Sequence, residues 1–550
     1  MKEKDLLESI SEIDEELLER SERNKQAAVE SAEAAQGNMH KQKDNTKHVS
    51  FRRRRFFIAA SVAIVLCLAG QIVYFALGSG KDSPGVSKLL SPYVVSAAEY
   101  PEVMKQPNYM DFDEGNDGVF GPEEMAKYNE AEREYISQRT KRINVDGYNP
   151  TLGKTVAQSF NAKAMKQFLS ESKHENRDYS PINICIALGM LAETTDGETR
   201  QQILDVLGLE SIEALRPVMK GLWNGLYKDD KTKCILASSV WLSDKIHYKK
   251  DTLDSLASNY YASSFSGDMG SAKYSEAFRT WLDEQTGGLL KEQISGLAFD
   301  QSTVMALATT VCFNARWGEE FNKDKTKPDT FHSSNGDILC DFMNASGTGL
   351  YFWGEKFGAV QKIFGMGEGR MLFILPDEGV SVYDLLEDEQ VIDFINKGQS
   401  FGQAKTLTVD LSIPKFDISS KNDIIGELKA LGITDVYDAE KADFTPLSDK
   451  DQIWVDKVEH GVRVIVDEEG VKAAAYTVEK ASGADLPPDD YIDFILDRPF
   501  MFVISMGDGI PMFVGIVEKP QVTIPGTDTD TDLDYFITDG TTSEIDVNWK

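Results

Sequence analysis

Residues 56–78 read FFIAASVAIVLCLAGQIVYFALG, 23 residues without a charge and with only Ser61 and Gln71 as clearly polar interruptions. A helix of that length spans roughly 34 Å, enough for a bilayer core. Arg52, Arg53, Arg54 and Arg55 stand immediately before it, with Lys41, Lys43 and Lys47 upstream. The flank after it turns acidic at Glu99, Glu102, Asp111, Asp113, Glu114, Asp117, Glu123 and Glu124. The positive-inside rule then predicts a single-pass plasma-membrane protein, with residues 1–55 cytoplasmic and everything after residue 80 outside. The alternative is a signal peptide cut after Gly78, although such peptides carry a shorter apolar run. Cys67 follows Leu66 rather than a small residue, so it reads as part of the span and not as a lipid attachment site. Ahead of the span, Leu6, Leu7, Ile10, Ile13, Leu17 and Leu18 recur at helical spacing. They predict a short amphipathic helix, either a solvated anchor or a partner-binding segment.

Beyond the span the pattern changes twice. Residues 79–150 carry Gly, Pro and acidic clusters and read as an extracellular spacer with short helices such as 121–141. From 151 to 520 helical spacing (154–170, 181–207, 212–227, 274–287, 421–431) alternates with β-rich apolar runs such as CILASSVWLS, TVMALATTVCF, TLTVDLSIPKF and FMFVISM. This mixture predicts an α+β domain with mainly antiparallel sheet. Residues 521–550, rich in Asp and Thr, predict an acidic disordered tail.

Composition narrows the chemistry. The 550 residues include 58 Lys plus Arg against 90 Asp plus Glu, a net charge of −32 that repels phosphate and argues against nucleic-acid partners. The five cysteines show no C-x-x-C spacing, so neither a disulfide framework nor a cysteine zinc site is expected. Six scattered histidines form no H-E-x-x-H, and no G-x-S-x-G, G-x-x-x-x-G-K-[ST] or G-x-G-x-x-G occurs. Asp528, Asp530 and Asp532 imitate the start of a calcium loop, but Leu533 stands where its glycine belongs. The reading is therefore of a non-enzyme with no cofactor and no metal.

One segment carries a mechanism. Val462, Val464 and Val466 alternate as a strand, and Asp467-Glu468-Glu469-Gly470 then turns the chain. Alternation resumes with Val471, Ala473, Ala475 and Thr477 on one small-residue face, and Lys472, Ala474, Tyr476 and Val478 on the other. No proline interrupts the run before Pro487-Pro488, which would end strand pairing. The pattern suits either an exposed loop or a strand whose small face lies on a crowded core.

Over residues 155–520 the chain resembles the serpins. Asn176, Ser180-Pro181, Gly197, Thr199 and Gln202 resemble N-x-x-x-S-P followed by G-x-T-x-x-Q. Phe313, Trp317 and Phe321 resemble the segment ending in W-x-x-x-F. Pro414-Lys415-Phe416, Leu428, Leu431-Gly432-Ile433 and Ala442-Asp443-Phe444 resemble P-K-F…L-x-x-L-G-I…A-D-F, and Arg498-Pro499-Phe500 with Phe513, Gly515 and Pro520 resembles the C-terminal signature. The resemblance implies about eight to nine helices around a multi-sheet core and an exposed reactive loop. It also implies a suicide mechanism. A protease attacks the loop, the cleaved loop inserts into the central sheet, and the acyl-enzyme is trapped.

Carried over residue by residue, Glu468 and Gly470 to Thr477 resemble the insertion hinge, with Val471, Ala473, Ala474, Ala475 and Thr477 small or β-branched. Glu479, on the inward parity, departs from the inhibitory pattern. Lys415 resembles the usual ion-pair partner of Glu468 at the sheet's opening, and the alternative is an exposed pair worth under about 1 kcal/mol. His460, Ser180, Asn183, Thr309 and Trp317 resemble the gate and opening of the sheet. Thr309 and Asn183 replace the usual Asn and Ser, which implies rearranged gate hydrogen bonds. The resemblance puts the scissile bond at Ala484–Asp485 when counted from the hinge and at Pro488 when counted back from Pro499, with Leu486 and Lys480 as alternatives. Ala484 suits an elastase- or subtilisin-like pocket. The expectation is a bacterial cell-surface inhibitor whose partners are serine proteases, or cysteine proteases as a second class. A non-inhibitory serpin used as a binding or structural module is the alternative. A membrane sensor of outside proteolysis is a third reading.

Overall fold

The computed structural model describes residues 60–69, 90–108, 112, 121–145, 147–170, 174–230, 232–286, 294–365, 369–471, 490–507 and 509–521. They all belong to the second of two units, which divide between Phe56 and Phe57. In chain order the elements begin with β1 (Ala60–Ala69), β2 (Val94–Ser96), α1 (Pro122–Ile143), α2 (Pro150–Leu169), β3 (Arg177–Tyr179), α3 (Pro181–Thr194), α4 (Gly197–Leu207) and α5 (Ile212–Leu226). Then come β4 (Lys228–Asp229), β5 (Lys233–Ser243), α6 (Lys250–Tyr260), β6 (Ala262–Gly267), α7 (Ala272–Gln285), β7 (Thr303–Arg316), β8 (Lys327–Ser333), β9 (Gly336–Trp353), β10 (Phe357–Ile363) and β11 (Gly369–Pro376). The last are α8 (Glu389–Lys397), β12 (Ala404–Pro414), β13 (Phe416–Asp423), α9 (Ile425–Ala430), β14 (Ile453–Val466), β15 (Gly470–Val471), β16 (Tyr491–Ile495), β17 (Phe500–Met506) and β18 (Ile510–Val517).

Two sheets organise these elements. One runs β2-β6-β5-β7 on one side and β14-β13 on the other, and the space between β7 and β14 is bridged by β15 along one stretch and by β1 along another. The other runs β16-β12-β9-β10-β11-β17-β18-β3, with β8 on β9. Pairing is mainly antiparallel, as the late cluster of strands predicts; β5–β6, β12–β16 and both pairings of β1 are parallel. Helix α3 is buried along its whole length, because its sequence PINICIALGMLAET offers almost nothing to water. It packs on β7 and β18, which brings the two sheets' core faces onto one helix. Its start is set by Ser180, whose hydroxyl accepts the N–H of Asn183, with Pro181 fitting the first helical turn.

Several sequence expectations are corrected here. The expected transmembrane helix 56–78 is not what the described part shows. Ala60–Ala69 is a strand, and among the described residues no helix is long and apolar enough to cross a membrane. An uninterrupted apolar run cannot be assigned by periodicity, and without lipid its backbone groups are satisfied by two neighbouring strands. The helix expected over 181–207 is two, α3 and α4, because Thr195 and Asp196 are extended and Gly197 takes φ +57°. The helix expected over 421–431 shrinks to α9, since residues up to Asp423 continue strand β13 against β14. Among its described residues the spacer holds the 22-residue helix α1, in place of the short helix expected over 121–141. Helices α6 and α8 and the 18-residue strand β9 had no counterpart in the sequence pattern. The cytoplasmic segment 1–55 and residues 522–550 of the tail lie outside the described residues.

Candidate functional site

Strand β14 ends at Val466, and the next three residues make a turn held from both sides. The Asp467 carboxylate accepts the N–H groups of Glu469 and Gly470 at 2.9 and 3.1 Å, closing the turn on itself. Trp317 N–H donates to the Glu469 carbonyl at 3.0 Å, and its indole N–H donates to the Asp467 carbonyl at 2.9 Å. Trp317 is in turn fixed by stacking on Phe364, with ring centroids 5.3 Å apart.

Glu468 points inward and is only 6% exposed. Lys415 Nζ lies 3.0 Å from one carboxylate oxygen, and the Thr326 hydroxyl donates to the other at 2.8 Å. Burial pushes this carboxyl up, but a backbone hydrogen bond, the Lys415 charge and the Thr326 hydroxyl outweigh it and hold it below the usual carboxylate range. The pair is therefore the ion pair that the resemblance implies at the sheet's opening, and it is largely enclosed rather than an exposed contact. Glu469, which sequence reasoning passed over, bridges Arg316 at 3.4 Å and Lys323 at 3.0 Å. Thr326 was also missed; it is 142 residues from Glu468, and no local pattern announces it.

Past the turn, Gly470 and Val471 form β15 and enter between β14 and β7. Val471 pairs with Val466 on one side and Ala315 on the other, and Gly470 pairs with Arg316. A Cβ at Gly470 would stand 2.3 Å from the Ala315 carbonyl oxygen, so this position requires glycine. Ala473, Ala474, Ala475, Thr477, the bond Ala484–Asp485 and its alternatives Lys480, Leu486 and Pro488 lie outside the described residues, which resume at Asp490.

The gate residues meet below the same opening. The Ser180 N–H donates to His460 Nε2 at 3.2 Å, which places the imidazole proton on Nδ1. His460 is 1% exposed, and burial, with Arg177 nearby, pushes its pKa down to about 3, so the ring is neutral. Asn183 Nδ2 donates to the Thr309 carbonyl at 3.4 Å. His460 Nδ1 and the Thr309 hydroxyl have no partner among the described residues. Across this opening, therefore, α3 reaches β7 through the Thr309 backbone and not through its side chain.

The same opening contains β1. Its Leu66 is in register with Thr309 of β7 and with His460 of β14, and its last residue, Ala69, with Cys312. β15 and β1 thus approach each other along one slot, β15 antiparallel to both walls and β1 parallel to them.

The site is thus the space between two long strands of a large sheet, β7 and β14, with the turn at Asp467–Gly470 held at its mouth. Comparison with known proteins specifies the class. Residues 155–520 match the family described as Serpin (serine protease inhibitor), and the chain belongs to that family. Plasminogen activator inhibitor 1 of Neovison vison is 28% identical over 388 residues, covering 66% of this chain and 92% of that protein. Serpin-ZX of Arabidopsis thaliana is 26% identical, covering 64% and 93%. Among solved structures, the thermophilic serpin tengpin in its native state superposes with a TM-score of 0.60 at 28% identity, covering 68% of this chain and 95% of tengpin. Human thyroxine-binding globulin, at 20% identity and a TM-score of 0.58, shows the same fold. The family is described as one of serine protease inhibitors, and relatives such as plasminogen activator inhibitor 1 are named as inhibitors and not as enzymes.

Proposed function

We propose that this chain is a suicide inhibitor of serine proteases, held at the cell surface by residues 56–78. The observation that carries the reading is β15: Gly470 and Val471 already occupy the top of the slot between β14 and β7, and the small-residue run from Ala473 follows them in the sequence. In the proposed reaction the protease serine oxygen attacks the Ala484 carbonyl carbon. An ester forms to Ala484, the Ala484–Asp485 amide bond breaks, and Asp485 leaves with a free amine. Residues 472 onward then zip into the slot, and displacement of the enzyme stalls hydrolysis of the ester. The small side chains Ala473, Ala475 and Thr477 support this, because every second residue must pass between existing strands.

Membrane attachment is supported by the uncharged run after Arg52–Arg55. It also has a mechanical consequence. Continuing the β15 register brings residue 474 opposite Cys312, where Ala69 of β1 pairs. Insertion beyond residue 473 and residence of β1 in the sheet therefore exclude each other. A bilayer that takes residues 56–78 as a helix leaves the slot free for the loop.

The test mixes the full chain in vesicles with elastase-, subtilisin-, chymotrypsin- and trypsin-like proteases, followed by denaturing gels and sequencing of the released C-terminal peptide. A denaturant-resistant adduct and a peptide beginning at Asp485 are expected. Loop cleavage without adduct across the panel would instead favour a non-inhibitory binding module.

A further inference from the structure

Two successive glutamates at the mouth of the slot are tied to opposite walls. Glu468 holds Lys415, the residue immediately before β13, and so the wall that β13 and β14 form. Glu469 holds the other wall. One of its carboxylate oxygens lies 3.4 Å from Arg316, the last residue of β7, and the other 3.0 Å from Lys323, in the one-turn helix Lys323–Lys325. Arg316 is also the register partner of Gly470, so this ion pair sits one residue from the point where the chain enters the sheet.

Strand β15 is only two residues long. Each of its ladder hydrogen bonds contributes about 1 kcal/mol net, so contacts outside the ladder are needed to keep Gly470 and Val471 between the walls. An isolated surface ion pair adds little to such a hold, because it must order two long side chains. Here much of that order is already present. The Glu469 carbonyl accepts the Trp317 N–H at 3.0 Å, and its own N–H is held by Asp467 at 2.9 Å. The Arg316 side chain is 15% exposed, and one carboxylate serves two cations. Burial pushes the Glu469 carboxyl up, yet Lys323 and Arg316 outweigh it and hold it below the usual carboxylate range.

We propose that Glu469 is a positioning residue for loop insertion: with Arg316 and Lys323 it latches Gly470 and Val471 in the slot, so that a cleaved loop continues from Val471 instead of first having to enter. This inference rests on the inhibitory reading above. The acyl-enzyme faces two competing steps, insertion of the loop and hydrolysis of the ester, and the latch favours the first. It takes no part in the attack on the loop, so it sets the yield of trapped protease and not the rate of cleavage.

The full chain in vesicles is compared with Glu469→Ala, Lys323→Ala and the double variant, with thermal melting as the check on folding. Without protease, hydrogen exchange of a peptide spanning Gly470 and Val471 reports entry into the slot, and the amides of β7 and β14 serve as controls. With a protease that the parent chain traps, denaturing gels give the number of chains cleaved per enzyme trapped. Glu469→Ala should speed exchange at the two entered residues and raise the chain consumed per adduct, each by up to about fivefold, at an unchanged cleavage rate. Lys323→Ala should show a smaller shift of the same sign, and the double variant should do no worse than Glu469→Ala alone, as expected for two ends of one contact. A role in stability only would lower the melting temperature and move neither reading. Unchanged exchange, or unchanged consumption per adduct, in the folded variants would overturn the proposal while leaving the inhibitory reading intact. A parent chain that traps no protease of the panel would overturn both.

Discussion

At the scale of single residues, two buried titratable groups beside the sheet opening pull in opposite directions. His460, held down to about pKa 3, favours the native state fully above the ordinary histidine value, and this is lost as pH falls toward 3. Asp178 is buried between Ser420, which donates to it, and Gly515 of β18. Burial, with Asp417 nearby, pushes its carboxyl up to about 7. Its contribution is complete below the ordinary aspartate value and is lost as pH rises through 7. Between about pH 4 and 6.5 the two slopes oppose each other. Melting temperatures of Asp178→Asn against pH should therefore rise more steeply over that window than those of the parent chain, and His460→Gln should show the reverse slope. Glu468 behaves differently: its carboxyl is depressed, so its contribution is present above the ordinary glutamate value and lost in acid. Lys415→Ala leaves that carboxylate nearly buried without its cation and should cost about 2 kcal/mol in urea unfolding of the native state.

At the scale of elements, the proposed inhibition turns on the slot between β7 and β14. A charge carried into it finds no water, so Ala473→Glu should leave loop cleavage intact but reduce the adduct on denaturing gels by tenfold or more, through an unpaired buried carboxylate. β1 makes a second prediction. If it competes with the loop for the same pairing positions, a chain lacking residues 1–80 should trap protease without lipid, whereas the full chain should need vesicles to do so. Equal adduct yields with and without vesicles for the full chain would show that β1 does not obstruct the loop.

At the scale of the whole molecule, the inhibitory reading requires that insertion of residues 472 onward between β7 and β14 lower the free energy of the protein. Loop cleavage in a chain whose slot is free should raise the melting temperature well above that of the uncleaved protein, as residues 472 onward gain two strand partners. The protein's persistence before cleavage is then a matter of barrier height, not of equilibrium. Denaturant scans should accordingly show dependence on scan rate.

The sequence by itself determined the α+β class, the ordered motifs from Asn176 to Pro520, the turn at Asp467–Gly470 and the small residues behind it. These are local or periodic properties: alternation, turn chemistry, and side-chain size along one strand face. Tertiary structure alone decided which distant groups meet. The family resemblance had already paired Lys415 with Glu468 and set Ser180 beside His460, but Thr326 on Glu468 and Asp178 beside Ser420 meet across separations that no pattern encodes. It likewise decided that Arg316 stands beside Gly470 and reaches Glu469, because strand register is set by cooperative packing of whole sheets and not by either strand's own residues. The apolar run 56–78 stands between the two cases. Its composition demands burial, but whether lipid or a β-sheet supplies that burial depends on which partner satisfies its backbone hydrogen bonds.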